Sequence, residues 1–317
     1  MTMKKILSML IVLVLVLAAF AACGTPDETT IDNGDDTVVE TPEEKAYSLA
    51  LAVDTAFGKG GKVSNTAMVL VLDADNKIVA ARVDCAEATP ALDEEGALVA
   101  ADNVLSKVEK GDAYTGMAAG SWADQAKAFE NWLVGKTADE VAGTEFTNEL
   151  IAGCTMTSSM ATLKALVAKA YASEYKVAFT TAEDVTTGIA LSTAVKSGRG
   201  GSITVSTDVA ALAVADGKVV ATAIDSIEQS FTVEEGALVA GELKASKADQ
   251  GEAYTGMPAG PWYKQAQAYA NSTVGVAVAE LENIDTVSDA LAAAGCTMQS
   301  TTAGYKATII KAAGYAR

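Results

Sequence analysis

Two kinds of hydrophobic period follow one another along the chain, and the whole succession occurs twice. Thr66–Leu72 and Ile78–Val83 read as strands on either side of the turn Asp73-Ala74-Asp75-Asn76-Lys77, which predicts a β-hairpin. Leu212–Asp225 repeats the pattern around Ala215-Asp216-Gly217-Lys218, where Asp-Gly is the stronger turn signal. A third strand is expected at Ala97–Ala101, and at Ala237–Ala240 in the second half. The period then lengthens. Trp122, Gln125, Ala126, Phe129, Trp132 and Leu133 recur at helical spacing, predicting a helix over Trp122–Val134 that Gly135 ends. Thr137, followed by Asp139 and Glu140, opens a short second helix. Ser158 or Ser159 caps a last one, with Met160, Leu163, Leu166, Val167 and Ala170 on one face. Strands followed by helices, then the same again, define an α+β class.

The second round matches the first almost block by block. AYTGMAAGSW (Ala113–Trp122) returns as AYTGMPAGPW (Ala253–Trp262), GKGG (Gly58–Gly61) as GRGG (Gly198–Gly201), and AGCTMTS (Ala152–Ser158) as AGCTMQS (Ala294–Ser300). VLDADNKIVAARVD (Val71–Asp84) answers LAVADGKVVATAID (Leu212–Asp225), and DQAKAFENWLVG answers KQAQAYANSTVG. A period this long, present twice, implies tandem homologous domains, each a small antiparallel sheet with two or three helices. The expected division is 46–175 and 176–317. The AYTGM phrase reads as a strand-to-helix corner, with Gly116, Met117 and Met257 among its members.

Residues 1–22 have Lys4 and Lys5 followed by an apolar run, the pattern of a secretory signal peptide. The run stops at Phe20-Ala21-Ala22-Cys23, which resembles the lipobox of bacterial lipoproteins, so Cys23 is the expected lipidation site. Residues 23–45 are rich in Asp, Glu and Thr with little aliphatic patterning, the composition of a disordered acidic tether. Together these place the protein outside the cytoplasm, anchored to the cell membrane.

Charge and composition narrow the chemistry. A formal net charge of −18 excludes nucleic acid as a partner, because nothing would neutralise its phosphates. The chain contains 0 histidines, which removes the commonest general base and the usual zinc and haem ligands. An electron carrier or a binding protein suits this composition better than a turnover enzyme. Of the cysteines other than Cys23, Cys85 is matched by Ser226, and Cys154 and Cys296 read as buried free thiols. The recurring carboxylates Asp84/Asp225 and Glu95/Glu235 read as solvated strand ends.

The GCTM turns carry the remaining signal. On structural grounds Gly153 and Gly295 make the turn, Cys154 and Cys296 bury, and Thr155 and Thr297 cap the following helix. The hairpin followed by Gly-small-Thr and an Ala-rich helix also resembles the FMN-binding domain family, whose covalently flavinylated members include a subunit of the sodium-pumping quinone reductase. The family acceptor motif is Asp-x-x-Ser-Gly-Ala-Thr, and here the matching stretches are Glu149–Thr155 and Leu291–Thr297. Glycine and threonine match; Ala152/Ala294 and Cys154/Cys296 replace the motif Ser and Ala. The resemblance implies FMN bound at Thr155, Thr297, Gly153 and Gly295, with Tyr114 and Tyr254 as pocket walls, no metal, and electron relay from a membrane donor. Taken whole, 46–317 resembles duplicated clostridial-type surface lipoproteins, a group that implies no particular activity. The alternative is a surface binding or scaffolding lipoprotein without a cofactor.

Overall fold

Side-chain alternation in β1 (Lys45–Phe57) organises everything that packs on it. Ala50 and Ala52 join one apolar cluster with Met68, Leu70 and Leu72 of β2 (Val63–Asp73) and Val83 and Cys85 of β3 (Ile78–Ala88). Leu49 and Val53 point the other way, into a second cluster with Ala67, Val69 and Val71. Both faces are therefore buried, which is why these strands read as nearly continuous apolar runs. The computed structural model describes residues 42–114, 117–118, 120–254, 260–298 and 301–317. The signal peptide, Cys23, most of the tether, Gly116 and Met257 lie outside the described residues.

The chain is α+β with two antiparallel sheets. After β4 (Ala101–Val104) come β5 (Val177–Thr181), β6 (Thr186–Ser197), β7 (Ile203–Ala215), β8 (Lys218–Glu234) and β9 (Ala237–Ala240). The helices are α1 (Lys107–Lys110), α2 (Trp122–Leu133), α3 (Ala138–Gly143), α4 (Met160–Ala172), α5 (Lys247–Gln250), α6 (Trp262–Asn271), α7 (Asp289–Ala293) and α8 (Thr302–Gly314). One sheet has the order β3-β2-β1-β5, the other β4-β6-β7-β8-β9. Their inner faces stack, with β3 against β6, β2 against β6 and β7, and β5 against β8. Ala67, Ala80, Ala211, Ala213 and Ala221 sit between them, so the abundant alanine lets two backbone layers approach closely. Outside, α2 and α4 cover the first sheet, and α6 and α8 cover the second. The result is four layers: helices, sheet, sheet, helices.

The expected hairpins and helices are present. Asp216 and Gly217 both have positive φ (48° and 68°), as a two-residue type I′ turn requires. The helix α2 ends before Gly135, whose φ is 82°, and Thr137 forms a capping box with Glu140. β6 has a glycine for a further reason. A Cβ at Gly188 would lie 2.1 Å from the carbonyl oxygen of Ala312, so only glycine lets α8 lie on this strand.

Four expectations need correction. Ala97–Ala101 is not a strand: only Leu98 makes a bridge, to Leu92, and β4 begins at Ala101. Pro90 explains the difference from the second half. It stands where Phe231 continues β8, and without an N–H it cannot prolong β3 for a neighbour to pair with. The division at 175/176 does not separate the sheets either. β5 pairs with β1, β4 pairs with β6, and Pro42–Arg317 forms one compact unit. Lys169 of α4 pairs with Asp249 of α5 at 2.6 Å, and Lys311 of α8 with Glu109 of α1 at 2.6 Å, so the cross-links recur symmetrically. The AYTGM phrase follows the turn Gly111–Ala113 and leads into α2, joining helix to helix. Finally, Asp84 and Asp225 lie inside β3 and β8 and are buried, because α1 and α5 pack against those strands. Among the described residues no helix is long and apolar enough to cross a membrane.

Candidate functional site

The GCTM turns are fastened to their neighbouring helices. Gly153 and Gly295 have φ of 81° and 98° and make the turns. Cys154 and Cys296 are buried free thiols. The backbone N–H and hydroxyl of Thr155 both donate to Gln125 Oε1, at 2.7 and 2.9 Å. Thr297 does the same to Gln265 Oε1, at 3.0 and 2.6 Å. Gln125 and Gln265 belong to α2 and α6 and are buried. The threonines thus staple each turn to a helix and do not cap α4 or α8, which start at Met160 and Thr302. Neither threonine lines any of the cavities described below, and with both polar groups engaged the turns as they stand do not fit a phosphoester-linked flavin.

Tyr114 and Tyr254 belong to a different pair of sites, built identically in the two halves. Asp84 Oδ1 accepts the N–H groups of Cys85 (2.7 Å) and Val108 (3.1 Å), and Asp225 Oδ1 those of Ser226 (2.7 Å) and Ala248 (3.0 Å). Each carboxylate thereby holds the start of a one-turn helix against a strand. Burial pushes both up to about 6, against the opposing pull of these N–H groups and of Ser106 or Ser246. The next helix residue is a lysine whose ammonium lies over two rings. Lys107 sits 4.9 Å from the centroid of Tyr114 and 5.7 Å from that of Trp122; Lys247 sits 5.4 Å from Tyr254 and 5.8 Å from Trp262. Glu87 and Glu228 neutralise them at 3.2 and 2.9 Å. Burial alone would lower Lys107, but Cys85, Tyr114 and Glu87 hold it above its ordinary value. The tyrosines therefore cover lysines and are not brought to the threonines as a common pocket.

The repeats diverge where function can reside. A groove of about 600 Å³ opens between β1 and β5 on one wall and β8, α5 and α6 on the other. Leu51, Val53, Val177, Ala223 and Ile224 form its apolar side. Lys176, Lys264, Gln267 and Asn271 supply hydrogen-bonding groups, and Tyr175 and Tyr263 make an aromatic shelf with ring centroids 4.5 Å apart. A neighbouring depression of about 480 Å³ shares Ala268, Asn271 and Ala294, so the second GCTM turn borders the groove through Ala294. Volumes of this order suit a small organic ligand.

The equivalent place in the other half is filled. Arg82 stands at the position of Ala223, Glu130 at that of Ala270, and Arg317 at that of Tyr175. Glu130 accepts from Arg317 at 2.7 Å, from Arg82 at 3.5 Å and from the Val83 N–H at 2.9 Å, while Arg82 also donates to the carbonyl of Arg317. Small residues on one side and an ion triad on the other thus decide which groove is open. The sequence signal for the site was available as divergence between aligned repeats: Tyr263 answers Ala123, and Ala223 answers Arg82. Preserved blocks such as AYTGM mark packing. No group of three or more His, Cys, Asp or Glu placed to hold a metal ion occurs among the described residues.

Fold and groove together define a duplicated helix–sheet–sheet–helix protein with a ligand-sized groove where elements of its two halves meet. Comparison with protein-family models, with curated proteins and with solved structures finds no match to this chain.

Proposed function

We propose that the protein is a lipid-anchored extracytoplasmic binding protein that captures a small ring-bearing molecule in the open groove, without turning it over. The groove itself carries this reading. It joins an aromatic shelf, an aliphatic wall and two side-chain amides, the combination that stacks on one face of a ring and hydrogen-bonds its edge. The lipobox at Cys23 and the acidic tether supply the anchor and the reach. Saturation-transfer NMR on the full-length protein, with mixtures of monosaccharides, aromatic amino acids and nucleosides as probes, tests the proposal. At least one class is expected to bind the wild type and to be lost in Asn271→Trp, a substitution at an exposed position on the groove wall. No binding by any class, or binding that survives Asn271→Trp and Ala223→Arg alike, would sink it.

The flavin reading has a separate readout. Attachment to Thr155 or Thr297 requires the hydroxyl to leave its glutamine, so co-expression with a flavin transferase is expected to give the unmodified intact mass. A mass increase matching one or two FMN groups would replace ligand capture with electron relay between a membrane donor and an external acceptor.

A further inference from the structure

A second difference between the halves lies under the helices, away from the groove. In the second half Tyr305 of α8 is among the largest fully buried side chains. Its ring meets Trp262 edge to face, with centroids 6.1 Å apart, and the polar groups of Trp262, Thr301 and Ser226 stand near its hydroxyl. Burial, with the nearby Asp208 carboxylate, holds this phenol far above its ordinary value, so it stays protonated. In the first half the same surroundings are retained. Trp122 answers Trp262, Ser159 answers Thr301, and Cys85 answers Ser226. The central residue changes most: Leu163 of α4 stands where Tyr305 does, and it lacks both the ring edge and the hydroxyl. A cavity of about 180 Å³ remains there, lined by Leu163, Trp122, Ser159, Cys85 and Thr66 among others.

We propose that this cavity is a binding site for a small phenol, held in the first half as the Tyr305 side chain is held in the second. The size is sufficient, since an apolar cavity of roughly 150 Å³ takes up benzene. The chemistry follows from the correspondence. The indole N–H of Trp122 and the hydroxyl of Ser159 stand where Trp262 and Thr301 address a phenol hydroxyl, and the indole ring offers the same edge-to-face contact. Asp208, the carboxylate beside Tyr305, is replaced by Thr66, which pairs with Cys85 as Asp208 pairs with Ser226, so no like charge opposes the oxygen of a bound phenol at that position. Lys107 borders the cavity but is engaged by Glu87 at 3.2 Å, so the site recognises a neutral ring with one hydroxyl. The assignment stands independently of the groove.

Titration calorimetry of the full-length protein with p-cresol tests this. One saturable equivalent is expected for the wild type, and toluene, which lacks the hydroxyl, should bind about tenfold more weakly. Leu163→Tyr, which builds the proposed ligand into the chain, should abolish p-cresol binding without lowering the melting temperature. Absent binding, equal affinity for toluene, or a folded Leu163→Tyr variant that still binds, would each overturn the site. Tyr305→Leu provides the reciprocal test and covers the case in which Leu163→Tyr does not fold. It should be rescued by p-cresol, with a larger rise in melting temperature than the wild type shows; a rise no larger than that of the wild type overturns the correspondence.

Discussion

Glu130→Ala is expected to lower the free energy of unfolding by about 3–5 kcal/mol, measured by urea denaturation at neutral pH. Glu130 is only 2 % exposed and is the shared acceptor of Arg82, Arg317 and the Val83 N–H. Its removal leaves the Arg82 guanidinium buried without its carboxylate. Burial already depresses Arg82 to about 10, and its Nε has no hydrogen-bond partner among the described residues. The double variant Arg82→Ala/Glu130→Ala reproduces Ala223 and Ala270 of the other half, where the groove is open. It is expected to be more stable than Glu130→Ala alone, because it removes the stranded charge together with its partner. A double variant no more stable than the single one would show that the triad is a packing element in which charge matters little.

Acidification below neutrality is expected to stabilise the protein, and the paired aspartates are the cause. Asp84 and Asp225 have folded-state values raised from 3.8 to about 6 by burial. The stabilisation attached to a raised carboxyl is complete below the unfolded value and is lost as pH rises through the folded one. The window is therefore about pH 4 to 6, with each ionisation costing roughly 3 kcal/mol. Glu130 and Asp208 are displaced in the same direction by burial, whereas Glu87, paired with Lys62 and Lys107, is displaced downward and opposes them. Asp84→Asn and Asp225→Asn keep an acceptor oxygen for the two N–H groups and remove the charge. Each is expected to raise stability at pH 7.5 by up to about 3 kcal/mol and to flatten the dependence below it. Urea midpoints that do not change between pH 4.5 and 7.5, in wild type or variants, would contradict the burial argument.

Lys107 and Lys247 show why some of the site was legible and some not. Their aromatic neighbours lie in the AYTGM blocks, whose preservation between repeats was visible in the sequence as a demand for the same local geometry. What those blocks do was not visible. Tyr114 and Tyr254 read as walls of a cofactor pocket but cover lysines instead, because α1 and α5 pack beside the strands bearing Asp84 and Asp225. The GCTM turns read as caps or flavin acceptors, yet Thr155 and Thr297 spend their hydrogen bonds on Gln125 and Gln265. Those glutamines lie 30 and 32 residues away along the chain. Periodicity carries no information on such a partner.

The sequence alone determined much of what depends on neighbours a few positions apart. The I′ turn at Asp216-Gly217, the ends of α2 and α3, and the duplication itself follow from backbone preferences and from residue spacing. The tertiary structure decided which surfaces meet. It sent β4 and β5 into the sheets of the opposite repeat, because edge strands take whichever free edge the stacked layers bring near. It also buried two aspartates that look solvated in a linear reading. Above all, it turned substitutions scattered along the chain, Ala223 for Arg82 and Leu163 for Tyr305, into an open groove and an open cavity. The reason is geometric: whether a small residue leaves a hole depends on what stands opposite, and only the assembled layers set that.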